Sequence, residues 1–557
     1  MNMDIADLKN ALKRSVRGEV KDDTVAREAA SRDTSLFMRI PELVVCPEDA
    51  VDVSRIVKEV RAAADGGTPV ALAARAAGTD MSGGPLTTGV VVSFTEHMNH
   101  VLEVGDGYAV TEPGVFYRDF EKATLERGFI LPSYPASREL AAMGGIIANN
   151  SGGERTLEYG KTEKYVEELE VILSDGSQAT FKALTPPELA KKKELKTLEG
   201  DIYRKMDALL VKNAEVIAAH RPRVSKNSAG YALWNVRDGA TGTFNLAKLI
   251  CGSQGTLALW SKARLSLVKP KEHRAMLVIF LYDLEILPEI VERVLPFNPE
   301  SFESYDNHTF ELAVKFLPEM LLQMGFVKAA RLGVSFMAEA AMVATGGVPN
   351  MILMAEFAED TIEEADRKAL AARKALAGLH VQAKIEKNEK ESEKYWIIRR
   401  ESFSLLRKNL HGMYAAPFID DFVVPPASYP RFLPKLNALL DGYKSHFIYT
   451  VAGHVGNGNF HIIPLMDLSK EENRNVILEL APKVYELVMR EGGTTTGEHN
   501  DGIIRTPYLP MLFGPEMVAL FAETKEIFDP QNIFNPGKKV GGSFADIKND
   551  MITTTPR

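Results

Sequence analysis

Two histidines, His454 and His461, flank an Asn457-Gly458 pair in the run Gly453 to His461, and Glu498-His499 follows inside Thr496 to Asn500. Imidazole nitrogens and a carboxylate oxygen are ligands for borderline divalent cations. Asn-Gly between apolar, β-branched runs predicts a tight hairpin with both turn residues at positive φ. In that register Gly456 faces Asn459, Val455 faces Phe460 and His454 faces His461. Directly opposed residues bring their Cβ atoms to roughly 4.5–5.5 Å, so two imidazoles share one face. Glu498 adds a hard oxygen ligand. His454, His461 and Glu498 make a two-histidine, one-carboxylate set with open positions, acceptable to zinc, iron(II) or manganese, and His499 offers a base beside it.

An arginine is the second chemical element. Trp396 to Glu401 contains Arg399 and Arg400, and a guanidinium holds a carboxylate through two parallel hydrogen bonds. Either arginine could do so; the plain alternative is a helix-surface ion pair with Glu393 or Glu401. Arg505 is a further carboxylate or metal-shell contact. Asp420 and Asp421, before the apolar Phe422 to Val424, read as a turn, with a place along the cleft as the alternative.

Positioning these groups requires a scaffold, and its texture changes along the chain. Residues 1–40 read as a helical arm. From Val44 to Pro270 short apolar strands (Val70 to Ala73, Val90 to Phe94, Glu168 to Leu173) alternate with helices such as Val51 to Ala64. From about Glu272, strands such as Met276 to Leu281 and Met351 to Phe357 alternate with charged helices such as Thr361 to Leu379, a pattern for an antiparallel sheet. A helix over Pro515 to Phe528 and a proline-rich tail close the chain. The Met-rich stretch Phe316 to Met354 reads as core.

Three glycine-rich blocks fall in the first half. Arg75, Ala77, Gly78, Thr79, Asp80, Ser82 and Gly83 follow a predicted strand. Gly144, Gly145, Asn149, Asn150, Ser151 and Gly153, then Tyr159-Gly160, form the second block. Ile250, Gly252 and the residues to Thr256 end an expected apolar strand, Leu246 to Cys251. Exposed amides and small side chains let a backbone wrap phosphate. None of the blocks is a GxGxxG or Walker A loop, which argues against NAD and ATP. Three such loops together point to one large, extended, phosphate-bearing ligand.

Bulk properties narrow the class. The chain has 557 residues, 45% hydrophobic and 25% charged, a net charge of -9 and two cysteines. Its length calls for more than one domain. The acidic balance argues against a nucleic-acid partner. Two cysteines exclude a disulfide framework and a cysteine-ligated iron–sulfur cluster. The first twenty residues lack the apolar stretch of a secretory signal, and no run reaches the ~18 apolar residues of a membrane span. The expected location is cytoplasmic, with peripheral contact at the inner face of a membrane left open.

These motifs together resemble the FAD-linked oxidases (vanillyl-alcohol-oxidase-like flavoproteins), and within them the D-2-hydroxyacid dehydrogenase branch of D-lactate dehydrogenases, glycolate oxidase subunits and D-2-hydroxyglutarate dehydrogenases. The resemblance spans about Pro41 to Lys538. Arg75 to Gly84 matches the first flavin-phosphate loop. Pro135-Ala136-Ser137 and Gly144 to Gly153 match the pyrophosphate and isoalloxazine segment. Lys226-Asn227, Gly230-Tyr231 and Ile250 to Thr256 match a later FAD segment, and Asn535-Pro536-Gly537-Lys538 the terminal signature. It differs at Gln254, Ala258 and Asn500, where the family usually has Glu, Gly and Gly.

The resemblance implies an α+β fold: a two-part FAD-binding domain of PCMH type (41–270) and an α+β cap with an antiparallel sheet (271–506). A C-terminal helix and tail (507–557) would return to the FAD domain. It implies FAD, held non-covalently because the first loop has no histidine and no cysteine anchor is evident. It assigns His454, His461 and Glu498 to the metal, His499 to the base and Arg399, in Trp-x-x-Arg, to the substrate carboxylate. The expected reaction is oxidation of a D-2-hydroxy acid to the 2-oxo acid. The electron acceptor (quinone, cytochrome, electron-transfer flavoprotein or oxygen) stays open, as does assembly as a homo-oligomer. Two other readings use the same scaffold: an ether-lipid synthase or phenol oxidase, and a flavin electron-transfer subunit without catalysis.

Overall fold

Short runs of β-branched residues with no polar alternation belong in parallel strands covered on both faces. Leu43–Cys46 and Val90–Ser93 are such runs, buried at every position. In the computed structural model, which describes residues 4–307, 309, 347–387, 391–399 and 412–553, they pair in parallel, with Leu72–Arg75 beyond. Glu19–Lys21 adds an antiparallel edge. The N-terminal arm is therefore not simply helical: helices Ile5–Ser15 and Thr24–Ala30 enclose a strand that completes this sheet.

A second, six-stranded antiparallel sheet runs in the order 101–105, 108–111, 259–266, 166–172, 178–184, 244–245. Gln178–Leu184 shows the partial alternation of a strand with one wet face. The expected strand Leu246 to Cys251 is instead a short helix, Ala247–Ile250. The Asn245 side chain accepts from the Ala247 amide at 2.9 Å, which turns the chain where apolar content alone suggested extension.

Among the described residues the third sheet has eight strands. Its main path runs 382–386, 273–281, 351–359, 301–306, 448–454, 459–466, 414–415, and Phe422–Val423 pairs with 459–466 off this path. Met351–Glu359 is buried at every residue because both faces are covered. Helices Leu287–Val294 and Ile362–Ala375 pack one face, and the helix 391–399 packs the other through Tyr395, Trp396 and Ile398. The fold is thus α+β, a two-sheet lobe and an antiparallel cap. Most of the Met-rich stretch, residues 316–346, and Arg400 lie outside the described residues.

The chain's last fifty residues or so, from Leu509, return to the first lobe. Leu509–Phe528, kinked at Gly514, places Phe513, Met517 and Phe521 in the core of the six-stranded sheet. Ile533 and Phe534 enter the core of the parallel sheet, and the Asn535 amide donates to the Leu72 carbonyl at 2.8 Å. Among the described residues no helix is long and apolar enough to cross a membrane.

Candidate active site

The histidine hairpin forms with a different turn. Strands Ile448–His454 and Asn459–Met466 pair with Ala452 opposite His461 and His454 opposite Asn459. Val455–Asn457 makes a 3-10 turn, and only Gly458 takes the left-handed conformation, φ 73°. The expected two-residue turn would have put His454 opposite His461, so the register moves by two positions. A slip of one would have sent His461 to the other face, but a slip of two preserves it. The imidazoles become diagonal neighbours with ring centroids 5.1 Å apart. The longer turn is seated from outside: Ser225 Oγ donates to the Asn457 carbonyl at 2.6 Å, and Gly456 packs against Leu157 and Phe302.

Both Nε2 atoms converge on one oxygen. Glu498 Oε1 lies 3.0 Å from His454 Nε2 and 3.4 Å from His461 Nε2. Its other oxygen meets Lys226 Nζ at 2.8 Å, and that lysine side chain is fully buried. Burial would raise the Glu498 carboxyl, but Lys226 and His454 hold it well below the usual carboxylate range. His454 Nδ1 is 2.7 Å from Glu303 Oε1, and His461 Nδ1 is 3.1 Å from Asp420 Oδ1. Each histidine is therefore oriented by a carboxylate on its far nitrogen, the usual arrangement behind a metal-bound imidazole. Burial lowers the His461 pKa, but Asp420 and Glu498 outweigh it and lift the ring to about 10. A divalent cation at Nε2 would satisfy Glu498 as that proton does, so this donor set fits one.

A second grouping, Asp421, His461, Glu498 and His499, also offers ligand atoms within 4.8 Å of one another. Asp421 is the weaker ligand because its oxygens are occupied. They accept from the Glu498 amide at 3.0 Å, the His499 amide at 2.7 Å, the Thr496 hydroxyl and Asn459 Nδ2. Among the described residues, His454 Nε2 carries no such load beyond Glu498.

His499 stands beside the cluster, stacked on His461 at 4.9 Å, with Nδ1 2.6 Å from Asp420 Oδ2. Burial works against a charged ring, yet Asp421 and Asp420 raise its pKa above the ordinary value. One carboxylate thus orients both His461 and His499. Arg399 lies behind His454: its guanidinium forms an ion pair with Glu303 and comes within 3.5 Å of His454 Nδ1. Arg505 is fully buried and donates to the carbonyls of Asn500 and Asp420 at 3.0 and 2.8 Å. It braces the loop rather than facing the cluster.

Sequence reasoning missed or misplaced the residues that support these groups. Asp420 and Asp421 were expected as a turn; Asp421 does take a left-handed φ of 68°, but both carboxylates serve the site. Glu303 carried no signal of its own: Ser301–Asp306 reads as a mixed polar segment, and only the fold shows the strand buried at every residue. Lys226 was legible only as part of a flavin segment.

The glycine blocks are tied together by neutral side chains and by three charged ones: Asp80, Asp33, which accepts from the Gly83 amide at 3.1 Å, and Lys525, which donates to the Thr256 carbonyl at 2.7 Å. Asp80 Oδ2 accepts from the amides of Ser82 and Gly84 at 3.0 and 2.8 Å, and its Oδ1 from Asn149 Nδ2 at 2.7 Å. Gln254 Nε2 donates to Ser82 Oγ and Asn149 Oδ1, and its Oε1 accepts from the Gly502 amide. Asn535 Nδ2 ties the Gly84 and Gln254 carbonyls, each at 2.8 Å. Asn500 Nδ2 ties the Asn149 and Gly252 carbonyls. Arg75 is turned toward the N-terminal arm, donating to the Arg32 carbonyl at 2.7 Å, while the Thr79 carbonyl accepts from Thr34.

Gly78, Gly83, Gly160 and Gly252 use positive φ, as does Asn150. Gly144 and Gly145 open the helix Met143–Ala148. Ala136 and Ser137 are exposed, and Ile250 is core. Ser151 and Gly153 belong to the stretch that reaches Glu498: a methyl placed on Gly152 would lie 3.0 Å from Glu498 Oε2. The glycine loops and the metal-binding candidates therefore border one another.

Residues 41–182 match the FAD binding domain family, and residues 270–539 match the C-terminal domain of FAD linked oxidases. The chain is 27% identical over 540 residues to a D-2-hydroxyglutarate dehydrogenase of Pseudomonas putida, covering 94% of this chain and 50% of that protein. It thus spans about half the length of that relative. A D-lactate dehydrogenase of Archaeoglobus fulgidus is 28% identical over 501 residues, covering 89% of this chain and 91% of the relative. The glycolate oxidase subunit GlcD of Bacillus subtilis is 26% identical over 527 residues, covering 93% of each.

Two solved structures share the fold. The 4-ethylphenol oxidase from Gulosibacter chungangensis superposes with a TM-score of 0.67 at 16% identity, covering 97% of this chain and 98% of its own. An alkyldihydroxyacetonephosphate synthase gives 0.65 at 15%, covering 96% and 85%. With a FAD binding domain on one side of the cluster and the matching oxidase C-terminal domain on the other, the chain belongs to the FAD-linked oxidases.

Proposed function

We propose that this protein oxidises a D-2-hydroxy acid of the lactate, glycolate or 2-hydroxyglutarate type to its 2-oxo acid, with FAD and a divalent cation. The observation that carries this reading is the convergence of His454 and His461 on Glu498, beside His499 and against the glycine loop at Gly152. When bound, the flavin supplies a hydride acceptor and the cation a Lewis acid for the substrate hydroxyl.

His454, His461 and Glu498 would hold the cation. The amides of the loops around Gly78, Gly83, Gly144, Gly145 and Gly153 would hold the flavin, with Asn535 and Gln254 fixing their spacing. Arg399 would bind the substrate carboxylate. His499 would take the hydroxyl proton on Nε2, because Asp420 holds Nδ1. The neighbouring carboxylates favour the ring once it carries that proton. Lys226 keeps Glu498 ionised and turned toward the histidines.

The test is anaerobic mixing of the FAD-loaded protein with D- and L-2-hydroxy acids, with and without chelator. Bleaching of the flavin by a D-2-hydroxy acid, lost on chelation and restored by zinc or manganese, is expected. No bleaching by any hydroxy acid overturns the reading.

A further inference from the structure

Glu303 sits where two tasks of the proposed site meet. It lies mid-strand in Ser301–Asp306, opposite Met354, and its side chain is 1% exposed. One oxygen is 2.7 Å from His454 Nδ1, and the other is ion-paired with Arg399. His454 and Arg399 are themselves 3.5 Å apart across this carboxylate. A buried carboxylate shared by an imidazole and a guanidinium cannot strengthen its hold on one without loosening the other.

We propose that Glu303 is a positioning residue that couples cation binding at His454 to carboxylate binding at Arg399. This rests on the metal and arginine assignments of the function proposed above. Accepting from Nδ1–H fixes the tautomer that presents a lone pair on Nε2, and it raises that nitrogen's basicity as a ligand. Charge drawn to Arg399 subtracts from that effect. When Arg399 turns part of its positive charge toward a substrate carboxylate, Glu303 is released toward His454, and His454 binds the cation more firmly. Substrate and metal would then favour each other reciprocally, as linkage requires, although neither residue of the Glu303–Arg399 pair touches the metal.

The experiment is a double-mutant cycle on zinc affinity, measured by calorimetry on the FAD-loaded protein without substrate. Flavin absorbance and melting temperature report folding. Glu303→Gln should weaken zinc roughly 10- to 100-fold, the usual range for such an outer partner. Arg399→Gln should change zinc affinity in the opposite direction, and the two effects should be non-additive. Additive effects, or an Arg399→Gln protein with wild-type zinc affinity, overturn the coupling. Should Glu303→Gln fail to hold FAD, the Arg399→Gln arm alone decides. Wild-type protein that binds no divalent ion sinks the metal assignment itself. Wild-type protein that binds zinc but is not bleached by hydroxy acids sinks the reaction and leaves the coupling to be judged by the cycle.

Discussion

The glycine loops and the histidine centre adjoin each other but differ in how far each relies on buried charge. The loops are fastened mainly by neutral amides, Asn149, Gln254, Asn500 and Asn535, bonded to backbone and to one another. The centre is fastened by buried charge: Glu303, Asp420, Asp421 and Glu498 against His454, His461, His499, Lys226 and Arg399. Neutral amides lose about 1 kcal/mol each when broken and do not titrate. Paired buried charges are costly to leave half-made, and their strength depends on protonation. The flavin side, outside its charged ties at Asp80, Asp33 and Lys525, is therefore a cradle that tolerates the loss of single amides. The histidine side is a network in which one loss redistributes charge among the rest.

The sharpest way to test that contrast is His499→Ala. Flavin reduction by the hydroxy acid should slow about 10²- to 10⁴-fold, the range for a positioned base, while FAD absorbance stays unchanged; stopped-flow spectroscopy reads both. Asp421→Asn comes next. Its carboxylate accepts from the amides of Glu498 and His499, so loss of the charge should cost about 3 kcal/mol of stability and release metal. Melting temperature and metal content check this.

Glu356 extends the contrast to pH. Burial and the neighbouring Glu300 raise its carboxyl from 4.5 to about 7, against the opposing pull of Arg274 and of Trp396, whose Nε1 donates to it at 3.2 Å. A carboxyl raised on folding stabilises fully below its unfolded value near 4.5, and that contribution is lost as pH rises through about 7. Urea unfolding should therefore show wild-type stability falling across that window by no more than about 3 kcal/mol. Glu356→Gln should flatten this part of the profile. The smallest effect belongs to the loops: Asn535→Ala should weaken FAD by about 1–2 kcal/mol, with no change in zinc affinity, read by flavin fluorescence on dilution. A loop variant that also lost zinc would break the contrast.

The sequence made the ends of this arrangement legible and hid its middle. The hairpin was readable because Asn-Gly and alternating apolar residues are local signals. Its register was not, because the longer turn is stabilised by Ser225, Leu157 and Phe302 from elsewhere in the chain. Glu498 and His499 stood out as adjacent polar groups with metal chemistry. Asp420 looked like a turn and Glu303 went unread, since their roles exist only after the strands around them are paired. Lys226 belongs by sequence to the flavin half, and only folding carries it to Glu498. The helix Ala247–Ile250 was misread because so short an apolar run carries no periodicity that separates helix from strand.

The return of residues 533–535 to the parallel sheet also bears on biosynthesis. Leu72, just before the first glycine block, receives its backbone partners from Ile533 and Asn535, and Asn535 spaces Gly84 from Gln254. A ribosome makes residue 72 long before residue 533. The early glycine loops must therefore wait, incompletely braced, for nearly the whole chain to emerge. Nascent chains stalled before residue 530 should retain FAD poorly, and capture of the flavin becomes a late event in the protein's maturation.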